Sequence, residues 1–151
     1  MQDRIVKYSN LFTIIAVLIV IGTYFSDKND IALSLRLENA NNQIVIASLK
    51  SMKDNNDWSV PIRKFQVFNT TQYWYRNISV SDECLYNYTN YITNIEQANR
   101  FIDMLADIRQ QQIWSNNLTS DNGFSFTKQS LYKMIEWIQV DINSLKECYK
   151  K

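Results

Sequence analysis

The chain has 151 residues, with 16 basic side chains, 15 acidic side chains and no histidine. Without histidine it cannot form a Ser-His-Asp or Cys-His catalytic pair, a histidine metal site or an imidazole pH switch. Two glycines, two cysteines and one proline also exclude a P-loop, a dinucleotide fingerprint and a cysteine zinc site. We therefore predict no catalytic, cofactor or metal site. The scarcity of turn residues favours long helices over a many-stranded sandwich or barrel.

Nineteen consecutive residues without a charged side chain, Tyr8 to Ser26, open the chain. A helix of that length spans about 28 Å, close to the roughly 30 Å of a bilayer's hydrocarbon core. We expect residues 1–26 to be a cytoplasmic tip and a transmembrane anchor that contacts membrane lipid through residues 8–26. A cleaved signal peptide is one alternative, although a small-x-small cleavage site is poorly represented. A buried helix of a globular domain is the other.

The charges on either side of this uncharged run differ. Arg4, Lys7 and the amino terminus precede it against one acid, whereas two of the first three charges after it are acidic. The positive-inside bias therefore predicts a cytoplasmic N-terminus and an exported domain of residues 27–151, either periplasmic or extracellular. That domain has 14 basic and 14 acidic residues, so we expect it to bind neither nucleic acid nor anionic lipid.

The first helix of the exported domain, helix A, should continue from the anchor without a break. Neither proline nor glycine occurs between Asp27 and Val60, and residues 53–57 are a plausible exit. One apolar stripe on this helix follows a 4-3-4-3 spacing, which places its members on one face: Leu33, Leu37, Ala40, Ile44 and Ala47. Asparagine and glutamine mostly fill the other face.

Helix B should begin near Ser79 to Ser81, in a sequence with capping-box spacing, and run to about Trp114. Its apolar stripe is Leu85, Tyr88, Ile92, Ile95, Ala98, Ile102, Leu105 and Ile108. Residues 115–126 read as a loop, after which Thr127 should cap helix C. The stripe of helix C is Leu131, Met134, Ile135, Ile138, Ile142, Leu145 and Tyr149. The short connection predicts an antiparallel pair.

Residues 58–80 are rich in aromatic and β-branched side chains and allow two predictions. One is a short helix that opens after Ser59. The other is a small hairpin of residues 65–68 against residues 73–75. We favour the helix, because an isolated hairpin is only marginally stable. The predicted fold is mainly α: one transmembrane helix, then a three- or four-helix bundle with or without a short aromatic-rich hairpin.

The two cysteines form the most specific pair in the exported domain. Cys84 lies in the first turn of helix B and Cys148 in the last turn of helix C, so an antiparallel pair brings both to the same end. In an oxidising compartment we expect a disulfide. Two free thiols, or a reactive thiolate at Cys84, are the alternatives.

Paired carboxylates are the only catalytic chemistry that the composition allows, for instance Glu96 with Asp103 or Asp107. On helix B these acids share a face, which we expect to be solvated. We therefore predict that the protein is not an enzyme.

Nine aromatic residues fall between Trp58 and Tyr91, and such side chains dominate protein interfaces. Tyr73, Trp74 and Tyr75 cannot all point inward, so at least one should reach the surface. Together with Trp58 they are the predicted partner-binding residues.

Two functions follow from these features. The first is a membrane-anchored, non-enzymatic interaction or assembly subunit, which docks on another membrane or envelope protein through the helix A stripe and the aromatic residues near Trp74. The second is a ligand-binding or inhibitor module of the immunity type, acting in the cell envelope. Assembly into a homo-oligomer is compatible with either function.

Overall fold

A computed structural model describes residues 2–58, 61–78, 80–115 and 121–148, with side chains placed for residues 14–23, 25–58, 61–78, 80–110 and 123–148. This part of the chain contains four α-helices and no β-strand. They are α1 (Gln2–Asp54), α2 (Asn69–Asn77), α3 (Asp82–Ser115) and α4 (Asp121–Cys148). The prediction of a mainly α-helical bundle is confirmed.

α1 joins the predicted anchor to helix A as one helix and ends at the expected exit. Asn56 adopts a positive φ of 48°, a conformation that asparagine tolerates better than most residues. The N–H of Asp57 then donates to the carbonyl of Met52 at 3.1 Å, and the N–H of Asn56 donates to the carbonyl of Lys53 at 3.2 Å. These two bonds form a Schellman motif, which satisfies carbonyls that the helix end leaves unpaired.

Within the part of the chain that the structure describes, no helix combines the length and the apolar character needed to cross a membrane. The structure does not describe the side chains of residues 1–13 or of Tyr24. Part of the predicted anchor of residues 8–26 therefore lies outside the described side chains.

Helices B and C are present as α3 and α4. At the start of α3, the hydroxyl of Ser81 accepts a hydrogen bond from the Cys84 N–H at 3.3 Å; Ser79 lies outside the described residues. The predicted start of helix C was wrong, because α4 begins at Asp121. Thr127 is therefore inside the helix, where its hydroxyl donates to the carbonyl of Gly123 at 2.8 Å. A threonine satisfied by the preceding turn is compatible with a helix interior.

α3 and α4 are antiparallel, and their predicted apolar stripes form most of the core. The fully or nearly fully buried members are Tyr88, Ile95, Ala98, Ile102, Leu105, Leu131, Met134, Ile135, Ile138, Ile142 and Leu145. The Asn94 amide donates to the Asp141 carboxylate across the pair at 2.7 Å. At one end Cys84 and Cys148 form the predicted disulfide, with Cα atoms 5.7 Å apart.

Residues 61–68 are extended and are called the strap here. The prediction of a short helix in residues 58–80 was right in kind and wrong in its start, because the helix begins at Asn69. The alternative of a hairpin was wrong, because residues 73–75 lie within α2. Pro61 has a fixed φ and no N–H, which disfavours a helix running through it. The strap and α2 return along the bundle between α1 and α3, giving an up-down-up-down order in which the second leg is only half helical.

The backbone of the strap is held by side-chain amides from both neighbouring helices. The Phe65 N–H donates to Asn99 Oδ1 at 2.8 Å, and Asn99 Nδ2 donates to the Phe65 carbonyl at 2.9 Å. On the other side, the Gln66 N–H donates to Asn42 Oδ1 at 2.9 Å, and Asn42 Nδ2 donates to the Gln66 carbonyl at 2.8 Å. Consecutive residues of an extended chain direct their backbone groups to opposite sides, so α1 and α3 each bind one residue.

We expect loss of the disulfide to destabilise the fold strongly. The bond closes a loop of about 65 residues, for which chain entropy gives about 4 kcal/mol. The full chain carrying Cys84→Ser and Cys148→Ser, in mild detergent, should unfold at lower urea concentration by circular dichroism. Reductant should lower the midpoint of the wild type and leave that of the double variant unchanged. Two alkylatable thiols in the native protein would contradict the bond.

We expect Asn42→Ala to cost about 2 kcal/mol of unfolding free energy, because it leaves partly buried backbone groups of Gln66 without their side-chain partners. Asn41→Ala is the matched control: this neighbouring asparagine is exposed, so its replacement should change stability by less than about 0.5 kcal/mol. Urea titration of both variants measures the difference, and equal effects would show that the amide does not hold the strap.

Candidate functional site

α1 has two apolar faces, and only one of them packs on the bundle. The inward face is buried and includes Ile31, Leu35, Glu38, Asn42, Val45, Ile46, Leu49 and Met52. The opposite face carries the predicted stripe, and every member is exposed: Leu33, Leu37, Ala40, Ile44 and Ala47. We call these five residues the outward stripe. The structure therefore leaves the more regular apolar face of α1 without a covering element among the described residues.

The reason for this orientation is the strap. An extended segment that is partly buried between helices needs partners for the backbone N–H and C=O groups that face inward, and the polar side chains of α1 supply some of them. The face with Glu38 and Asn42 must then turn inward, although it is less apolar than the stripe. Leu33, Leu37 and Ile44 are left 58%, 54% and 57% exposed.

N-terminal to the outward stripe, beyond the polar residues 26–30, α1 has a region that is apolar on all sides. Eight large apolar side chains are between 44% and 66% exposed: Ile14, Ile15, Val17, Leu18, Ile19, Val20, Ile21 and Phe25. Because they occupy nearly consecutive positions, they cover the whole circumference of the helix. This segment projects from the bundle and contributes nothing to its core.

The predicted partner-binding residues lie at different ends of the bundle. Tyr73 is 60% exposed, as expected for at least one of the three aromatic residues of α2, and its ring packs edge-on against Trp74 at 5.5 Å. Tyr75 is buried and stacks on Tyr88 with ring centroids 4.1 Å apart. Tyr75 therefore belongs to the core, and of these three residues Tyr73 offers the most surface.

Trp58 lies at the other end, after the C-terminus of α1. Its ring contacts Tyr132 at 5.8 Å and Phe124 at 6.3 Å, and the Lys128 ammonium group lies 5.5 Å from the ring centre. Beside it is an apolar groove of about 400 Å³, also lined by Pro61, Ile62, Ile102, Leu105 and Arg109. Trp58 and Tyr73 thus cannot form one continuous aromatic patch.

Behind the outward stripe lies a buried acid that the sequence analysis did not identify. Glu38 is fully buried, and its Oε2 atom accepts a hydrogen bond from the Phe68 N–H at 2.9 Å, just before α2 begins. Burial raises the pKa of Glu38 to about 7, although this hydrogen bond and the nearby hydroxyls of Thr71 and Tyr91 act to lower it. A signal existed: Glu38 and Asn42 lie four residues apart, so they share one helical face.

The surroundings of Glu38 suit its neutral form. Glu38 Oε1 and the hydroxyl oxygens of Thr71 and Tyr88 are buried, and none of these three atoms forms a hydrogen bond with a described residue. Burial also raises the pKa of Tyr88, so its hydroxyl stays protonated. A protonated carboxyl group has an O–H donor that a carboxylate lacks, and it removes an unpaired charge from the core.

The acids considered for catalysis do not form a buried pair. Glu96, Asp103 and Asp107 are all exposed on α3, and Asp103 forms an ion pair with Lys64 at 2.7 Å. Among the residues that the structure describes, no group of three or more acidic or cysteine side chains is placed to hold a metal ion.

Comparison with protein-family models, curated proteins and solved structures finds no match for this chain.

We expect the burial of Glu38 to make stability depend on pH. The folded state holds the proton up to about pH 7, whereas the unfolded chain releases it near 4.5. Between these values the folded state binds more protons, so the free energy of unfolding falls as pH rises, by up to about 3 kcal/mol. Urea titrations at pH 5 and pH 8 measure this loss.

Glu38→Gln is the control for this prediction, because it keeps the shape and removes the titration. The variant should lose about 3 kcal/mol less than the wild type between the two pH values. An identical pH dependence in both proteins would show that Glu38 does not titrate in this range.

Proposed function

We propose that this protein is a membrane-anchored, non-enzymatic interaction subunit. Residues 8–26 lie in the bilayer, the N-terminus is cytoplasmic, and the bundle is on the periplasmic or extracellular side. The outward stripe of α1, together with Tyr73 of α2, binds a partner protein in or next to the membrane.

The observation that carries this proposal is the presence of two exposed apolar surfaces on α1. One is the segment of residues 14–25 and the other is the outward stripe; both lie on one unbroken helix and are separated by the polar residues 26–30. Large exposed apolar patches on proteins mark interaction or membrane surfaces. A bilayer provides apolar surroundings on all sides of residues 14–25, whereas a stripe on one face fits a single partner helix.

Two further features support the export of the bundle. The basic residues of the chain start precede the uncharged run, as expected for a cytoplasmic end. The Cys84–Cys148 disulfide is of a kind that persists in oxidising compartments outside the cytoplasm.

The groove beside Trp58 favours a second candidate, a ligand-binding or inhibitor module of the immunity type. Its apolar lining and its volume of about 400 Å³ are within the usual range for ligand sites. This candidate predicts a complex that depends on Trp58 and does not depend on the outward stripe.

The test is the size of the complex that contains the full chain. After extraction from membranes in mild detergent, the protein part of the particle should exceed the 17.9 kDa of one chain in light scattering with size exclusion. Leu33→Ser, Leu37→Ser and Ile44→Ser together should return it to one chain, because the stripe is exposed and its loss leaves the core intact. Trp58→Ala is the control for the groove and should leave the complex unchanged.

Retention in the membrane pellet after alkaline carbonate is measured on the same samples. A chain released by carbonate, or one that is a monomer in detergent and also cross-links to no protein in the membrane, would contradict the proposal. A complex lost in Trp58→Ala and retained in the stripe variant would favour the ligand-binding module.

A further inference from the structure

We propose that the outward stripe pairs with the outward stripe of a second copy of this chain, as a parallel two-helix coiled coil. This inference rests on the proposed function and names the partner. It concerns residues 33–47 of α1, on the side of the helix that faces away from the bundle.

The spacing of the stripe is the first argument. Leu33, Leu37, Ala40, Ile44 and Ala47 alternate steps of four and three residues, an average of 3.5, which is the heptad repeat of left-handed coiled coils. In that register Leu37 and Ile44 occupy a positions, and the other three occupy d positions. The bundle covers the b, c and f positions, which include Glu38, Asn42 and Leu49. A second helix is therefore free to approach along the a and d positions.

Charge is the second argument. A parallel pair sets each g position against the e position five residues further on in the other chain. Arg36 would face Asn41 of the second copy, and Gln43 would face Ser48. Neither of these pairings brings like charges together. Asp30 is the exception, because it occupies an a position and would face Asp30 of the second copy; a polar residue at a single a position lowers the stability of a coiled coil and fixes its register.

Area is the third argument, and it assigns a role to the anchor. Leu33, Leu37 and Ile44 are each more than half exposed, so together they expose roughly 300 Å² per chain, and pairing would bury on the order of 600 Å². Stable dimers in solution bury about 1,200 to 2,000 Å². The stripe is thus too small to hold two free copies together, and it needs the high effective concentration that a shared membrane provides.

The same register continues into the apolar segment. The a and d positions there are Ala16, Ile19, Thr23 and Ser26, all exposed. Three of these four are small, as is usual where helices meet in a membrane. Asp30 separates this part from the outward stripe as the one charged position of the register between residues 16 and 47. Both parts lie on one continuous helix, so two anchors in the same membrane present their stripes in parallel.

Cysteine cross-linking tests the inference in the full chain, reconstituted alone in phosphatidylcholine vesicles. Leu37→Cys and Ile44→Cys place a thiol at a positions, where paired Cα atoms come within disulfide distance. Asn41→Cys and Ser48→Cys are matched controls at exposed e positions of the same helix. Under mild oxidation the a-position variants should form a disulfide-linked dimer about tenfold faster than the controls. Peptide mass mapping confirms that Cys84–Cys148 stays intact and that each new bond joins identical residues.

Two results would overturn the inference: no cross-link at any position, or equal rates at a and e positions. The outcome is separate from that of the proposed function. A detergent-extracted complex with another protein, combined with no self-linkage in vesicles, would retain the interaction subunit and reject the second copy. A monomer in both experiments would reject both.

Discussion

The structure depends on hydrogen bonding of one extended backbone segment inside a helical bundle. The strap has no neighbouring strand among the described residues, so its N–H and C=O groups need side-chain partners. Asn99 binds Phe65 from α3 and Asn42 binds Gln66 from α1, each through both atoms of its amide. Glu38 then binds the N–H of Phe68, where α2 is about to begin. Two side-chain amides and one carboxyl group thus take the place of the backbone hydrogen bonds that a neighbouring β-strand would supply.

These polar contacts determine which way α1 faces. A helix on a bundle normally turns its most regular apolar stripe inward. In α1 the opposite face is buried, because only that face carries Glu38 and Asn42 at a spacing that reaches the strap. The Asn42 amide also donates to the Tyr91 hydroxyl at 2.7 Å, which joins α1 to α3. The stripe is therefore exposed because the strap needs the hydrogen-bonding groups on the opposite face of α1. Exposed apolar surface of this kind is unfavourable in water unless a partner covers it.

Much of the architecture could be predicted from the sequence, and the predictions that were wrong share one cause. The stripes of α3 and α4, the exit of α1 and the disulfide follow from periodicity, turn residues and the ends of an antiparallel pair, all of which are local properties. The extended strap is not local, because it exists only where Asn42 and Asn99 meet it from two helices. For the same reason Tyr75 was predicted to bind a partner and Glu38 was overlooked, because the burial of a residue on a helix depends on contacts with segments that are distant in the sequence.

One face of α1 contributes to the interior of the bundle, and the opposite face lies on its surface. α1 is one helix from Gln2 to Asp54, so its rotation about its own axis is common to the apolar segment, the strap contacts and the outward stripe. The hydrogen bonds of Asn42 and Glu38 fix that rotation on the inner side, and the stripe lies opposite. Since a helix with unbroken hydrogen bonding resists twisting about its axis, the buried polar contacts determine which residues face a neighbour beside the bundle. The hydrogen bonding of the interior and the exposure of the outward stripe therefore depend on the same rotation of α1, and a substitution that releases the strap should also change the direction in which the stripe faces.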